Sequence, residues 1–164
     1  MKLTHIRRLA AALTVVVIFL IVCDVLITAS ASWWLKSVYA GSLGELKVML
    51  GYHYNPAGMI YPLMLAFFII SGLLCLGILI AALHILRRIR NSKPFCLPNA
   101  RSMQHAAYCG FGLCIVFLSK LFFSPSILTF VCAGIFLLFG LFLTVLAALL
   151  HQAVELKDEN ELTI

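Results

Sequence analysis

Apolar residues in this chain gather into four long, nearly unbroken runs: Leu9 to Thr28, Met59 to Leu86, Ala106 to Phe123 and Ile127 to Leu150. A hydrocarbon core of about 30 Å takes about 20 helical residues to cross, so each run is long enough to span a bilayer. Lipid offers no partner for a free N–H or C=O, so a spanning segment is either a helix or a strand of a closed barrel. Barrel strands alternate with a period of two, whereas these runs are continuous, which predicts helices. The run from Met59 to Leu86 exceeds a perpendicular crossing and is expected to tilt or project past the headgroups, with Pro62 accommodated in its first turn. Ser124, Pro125 and Ser126 leave room only for a tight hairpin, so the third and fourth helices are expected to be antiparallel neighbours. Residues 30–58 form the longest stretch outside the runs, 29 residues. Within it Ser42 and Glu45 have capping-box spacing ahead of Leu46, Val48 and Met49, which predicts a short helix on the outer surface, and Asn55-Pro56 reads as a turn.

Composition turns this pattern into a class. Of 164 residues, 63% are hydrophobic and 11% charged, with a mean hydropathy of +1.09, whereas soluble domains carry about a quarter charged residues. A soluble fold is excluded, and the expectation is an all-α, integral membrane four-helix bundle in a single domain, 1–164. Charge then supplies orientation, because basic flanks stay in the cytoplasm. Lys2, Arg7, Arg8, Arg87, Arg88, Arg90, Lys93, Arg101 and Lys157 flank one side, nine in all, against three on the other, Lys36, Lys47 and Lys120. Both termini are therefore expected to be cytoplasmic, together with a basic loop over 87–105 and an acidic tail over 151–164. Trp33, Trp34, Tyr39, Tyr52, Tyr54 and Tyr61 then fall at the outer headgroup level, where amphipathic rings are favoured. The net charge of +6 follows from topology and argues against a direct nucleic-acid partner. The first run also has the basic start of a secretory signal peptide, with Ala29-Ser30-Ala31 as the cleavage-like site, but it is longer than the usual apolar core and Asp24 interrupts it.

Candidate chemistry is sparse. Cys23, Cys75, Cys96, Cys109, Cys114 and Cys132 contain no C-x-x-C, and five lie in apolar runs, so they read as small packing residues. His84, His105 and His151 share the inner interface, yet no H-x-x-x-H register puts two on one helix face, and no metal or other cofactor is expected. No acid, base and nucleophile converge, so no enzyme is expected. Gly72, Gly77, Gly112, Gly134 and Gly140, and the Ala106/Gly110 pair, read as places where helices approach closely. Two charges lie inside apolar runs, Asp24 and Lys120, and counting 1.5 Å per residue from Leu9 and Ala106 puts both in the outer leaflet as a candidate ion pair. The alternative is that Lys120 snorkels to the headgroups and Asp24 bonds a Ser or Thr hydroxyl. Glu155, Asp158, Glu159 and Glu161, with Asn160 among them, face Arg87, Arg88, Arg90 and Arg101 across the cytoplasmic side, and these residues form a candidate interaction surface. The acidic tail either docks on this basic segment or contacts the basic face of a partner.

After Arg87-Arg88-Ile89-Arg90 the chain runs Lys93-Pro94-Phe95, then Asn99 and Arg101, and it ends Glu155-Leu156-Lys157-Asp158-Glu159-Asn160-Glu161-Leu162-Thr163-Ile164. In these two places it resembles a bacterial family of four-helix membrane proteins catalogued as domain of unknown function 2975. That family shows a basic helix end, a short Pro-Phe loop with a downstream Asn and Arg, and a tail close to E-L-x-x-E-N-x-L-T-I; Cys96 and Pro98 depart from its pattern. Members are often encoded beside a small Cro-like helix-turn-helix regulator. The resemblance thus implies a membrane-bound regulatory partner or inhibitor of such a factor, in the cytoplasmic membrane. A small transporter or channel subunit is the alternative.

Overall fold

The computed structural model describes residues 3–50, 57–91, 96–122 and 126–162, with side chains over 8–37, 61–91, 96–122 and 126–156. Four helices account for nearly all of it: α1 (Leu3–Leu50), α2 (Ala57–Arg90), α3 (Leu97–Leu121) and α4 (Ile127–Leu162). Each contains a segment long and apolar enough to cross a membrane, Arg8–Ser37, Tyr61–Arg90, Leu97–Leu121 and Ile127–Leu156. Leu9, Val15, Phe19, Leu26, Ile70, Leu73, Ile115, Phe130, Leu138 and Phe142 are exposed along these segments. Only lipid can cover such a surface, and the chain is a multi-pass membrane protein.

The helices are longer than the apolar runs that announce them. Hydropathy marks where a helix meets lipid, whereas the helix itself continues until a breaker stops it. Between Thr28 and Leu50 there is no proline, so the stretch expected to leave the membrane as a separate surface helix is instead continuous with α1, which at 48 residues is about 72 Å long. The expected turn at Asn55-Pro56 lies outside the described residues. The basic loop expected over 87–105 contracts in the same way, because Arg87 to Arg90 are the last turn of α2 and α3 already begins at Leu97. Pro62 falls two residues deeper than expected, since α2 starts at Ala57 and not at Met59.

Among the described residues the helices pack in chain order, α1 on α2, α2 on α3 and α3 on α4. Small residues set each crossing. On α2 and α3, Gly77 faces Cys109 while Leu74 faces Gly112, so three residues back on one helix match three forward on the other and the pair is antiparallel. A methyl group on Gly72 would lie within 3.2 Å of three Thr28 side-chain atoms, and one on Gly140 would meet the Phe111 ring at 2.9 Å, so both contacts need a hydrogen in place of a side chain. Gly110 also approaches the Gly140 backbone, and Phe117, seven residues on, meets Phe136, four residues back, so α3 and α4 are the antiparallel neighbours their short connection requires. Gly134 meets nothing within 4 Å and has no such role. α3 is the centre of the bundle, with Ala107 and Leu113 fully buried.

An aromatic chain ties all four helices together, nearer the end of the bundle away from Arg8 and Arg90. Trp34 on α1 meets Phe68 edge to face at 6.4 Å, Phe68 meets Phe67 at 5.7 Å, Phe67 meets Phe117 on α3 at 5.2 Å, and Phe117 meets Phe136 on α4 at 5.3 Å. Such ring pairs contribute about 0.5–1.5 kcal/mol each beyond area burial. The Tyr61 hydroxyl donates to the Ser32 carbonyl at 3.3 Å, a further link between α1 and α2.

Candidate functional site at the charged end of the bundle

Because successive helices run antiparallel, the N-terminal end of α1, the C-terminal end of α2, the N-terminal end of α3 and the C-terminal end of α4 share one end of the bundle. Arg8, Arg87, Arg88, Arg90 and Arg101 are there, as are His84, His105, His151 and Glu155. This is the grouping the basic count anticipates.

Arg88 fixes the corner between α2 and α3. Its Nη1 donates to the Pro98 carbonyl at 2.6 Å, the Ser102 hydroxyl at 3.0 Å and the Asn99 side-chain oxygen at 3.3 Å. With two hydrogens and three acceptors, one N–H must be shared. Ser102 in turn donates to Pro98 O at 2.9 Å. Asn99 is 2% exposed, one of the two most buried large side chains, and its burial is tolerable because it is bonded. Cys96 occupies the N-cap position of α3 in extended geometry, φ −147° and ψ 143°, with no side-chain cap bond, and Pro98 stands in the first turn. The guanidinium, a donor only, leaves the first N–H groups of α3 uncapped but ties that turn to α2 through the Pro98 carbonyl and the Asn99 and Ser102 side chains. Arg88 thus turns inward, whereas Arg87, Arg90 and Arg101 are exposed and free to meet a partner.

The acidic stretch does not fold back as a loose tail; α4 continues through it to Leu162, twelve residues beyond Leu150 and about 18 Å further along the axis. Val154 is still buried, while Glu155 is exposed and pairs with His151 at 3.3 Å. That pair lies within one helix, so Glu155 is not engaged with the arginines of α2 or α3. The side chains of Asp158, Glu159, Asn160 and Glu161 lie outside the described residues. His84 Nδ1 donates to Ile80 O at 2.9 Å in its own helix. Among the described residues no group of three His, Cys, Asp or Glu is placed to hold a metal ion.

Asp24 and Lys120 are not brought together. Lys120 Nζ lies over the Phe67 ring, 4.7 Å from its centroid. Asp24 instead shares a groove with Cys75, eight residues along α2 from Phe67 and therefore about 12 Å away along that axis. The equal-depth count fails because α3 enters its helix at Leu97, so Ala106 and Leu9 are not at one level. Lys120, one residue from the end of α3, rests on an aromatic face, a contact worth about 0.5–2 kcal/mol, and no Ser or Thr lines the groove around Asp24. The groove itself is the feature that sequence reasoning misses, because three helices that are distant in the chain build it.

No curated protein and no solved structure matches the chain. The family described as protein of unknown function (DUF2975) matches residues 2–164. The match covers essentially the whole chain, including the basic end of α2 and the acidic end of α4, and the chain belongs to that family.

Proposed function

We propose that this protein is a regulatory partner in the cytoplasmic membrane, with both termini in the cytoplasm, and that its acidic α4 extension binds and restrains a small Cro-like helix-turn-helix transcription factor. The observation that carries the reading is the continuity of α4 to Leu162. A helix extending past the bilayer holds Glu155, Asp158, Glu159 and Glu161 away from the lipid on a rigid support. A DNA-binding domain presents a basic face, so a patch of four acids competes with DNA for it through charge complementarity. Glu155 is not spent on the bundle's own arginines, which keeps it available to a partner. The neighbouring Arg87, Arg90 and Arg101 act against unwanted cationic partners and position the acidic helix at the membrane surface.

Deletion of residues 155–164 tests this, because it leaves the apolar run of α4, Ile127 to Leu150, intact. In cells carrying a reporter for the regulator, the truncated protein is expected at normal membrane levels with control of the reporter abolished. Unchanged reporter output at normal membrane levels would refute the reading. Cysteine labelling of the same cells checks the orientation: a cysteine at Asn160 should react only after the membrane is permeabilised, and reaction in intact cells would place the tail outside.

A further inference from the structure

The bundle carries a groove that the regulatory reading does not use. Leu20, Cys23, Asp24 and Ile27 of α1 form one wall, Cys75, Ile78 and Leu79 of α2 the floor, and Ile135, Phe136 and Phe139 of α4 the far wall, enclosing about 440 Å³. α1 and α4 do not pack against each other, so the groove is open to the bilayer between them. Its size is that of a small-molecule site, for which about 300–1,000 Å³ is usual.

Asp24 is the only acidic residue in the four apolar runs. It lies sixteen residues from Arg8 and nine from Trp33, about 24 Å and 14 Å along α1, well inside the hydrocarbon. Placing a charge there costs about 2.5–3.5 kcal/mol on insertion scales, and such residues normally face a partner. Among the described residues none pairs with it: Lys120 is committed to Phe67, and every other group in the groove is apolar or a thiol. The groove therefore combines an unmatched negative charge with two phenylalanine rings, whose faces also attract cations. A second cavity of about 420 Å³ shares Ile27 and is lined by Ser30, Ala31, Trp33, Trp34 and Phe68, an aromatic approach from the outer headgroup level.

We infer that this groove binds a lipophilic organic cation, its positive centre against the Asp24 carboxylate and its apolar body against Phe136, Phe139 and Ile78. The cation partitions into the outer leaflet, passes the Trp33/Trp34 cavity and enters sideways. Charge complementarity selects it over neutral lipid tails, which fit the walls equally well but leave Asp24 unmatched. This site stands independently of the regulatory reading, and its test uses no regulator.

The test uses the full chain in nanodiscs of uncharged lipid with radiolabelled tetraphenylphosphonium as probe and triphenylphosphine oxide as its neutral counterpart. Saturable binding of the cation and none of the neutral compound is expected. Asp24→Asn should weaken binding by at least about tenfold and Phe139→Ala by about two- to tenfold, with Asp24→Glu and Lys120→Gln close to the unaltered chain. A second measurement needs no variant: dicyclohexylcarbodiimide, which modifies carboxyl groups in lipid, should add its mass to the Asp24 peptide, and tetraphenylphosphonium should suppress that addition. Equal binding by the Asp24→Asn variant, no saturable binding by the helical, monodisperse chain, or carbodiimide addition indifferent to the cation would each overturn the site. So would cross-linking between two chains through a cysteine at Phe139 that persists at saturating cation, because a second copy would then fill the groove.

Discussion

Arg88 sits where three acceptors from the start of α3 converge. Truncating it leaves Asn99 buried without that donor, at a cost of about 1–3 kcal/mol. Arg88→Ala should therefore lower the thermal midpoint in detergent by several degrees, Arg88→Lys should recover part of the loss, and the exposed Arg90→Ala should change it little. Equal losses for Arg88→Ala and Arg90→Ala would show that the corner does not depend on this guanidinium. Arg88 was legible in the sequence only as one of a basic cluster. What distinguishes it from Arg87 and Arg90 is the helical phase that turns it toward Asn99, together with the position of α3. Asp24 and Lys120 were equally legible as unusual charges, but their partners depend on the level at which each helix enters the membrane, which residue counting from run to run does not supply.

At the scale of elements, each of the four runs falls on a helix that carries a segment long and apolar enough to cross a membrane, because the hydrophobic requirement of lipid is strong and local. They did not locate helix ends. No proline falls between Thr28 and Leu50, and the acidic residues after His151 are compatible with a helix, so α1 and α4 extend where hydropathy has fallen. The glycines read as packing positions do mark crossings, except Gly134. The order of packing gives a direct check. In a cysteine-free background, Thr28→Cys with Gly72→Cys should form an oxidative cross-link within one chain, since an ideal Cβ at Gly72 lies 3.2 Å from Thr28 Cβ. Asp24→Cys with Lys120→Cys should not, because α1 and α3 do not meet. Cross-linking in the second pair and not the first would mean a different arrangement of helices.

At the scale of the molecule, the two proposals involve different parts of α4. Its middle supplies Phe136 and Phe139 to an intramembrane groove, and its end carries the acidic extension out of the bilayer. Among the described residues the helices pack only with their chain neighbours, so large apolar side chains on all four are exposed, and Arg8, Arg87, Arg88, Arg90, Arg101 and Glu155 gather at one end. Whether the acidic helix recruits a regulator is decided by purification of the chain from native membranes at low salt, with the bound proteins identified by mass spectrometry. The unaltered chain should retain one small basic helix-turn-helix protein, released as salt rises, because exposed charge pairs are screened within about 10 Å at 0.1 M. A variant with Glu155→Gln, Asp158→Asn, Glu159→Gln and Glu161→Gln, present at the same level, should lose it. Recovery of the same proteins from both chains, or of no DNA-binding protein from either, would contradict the account.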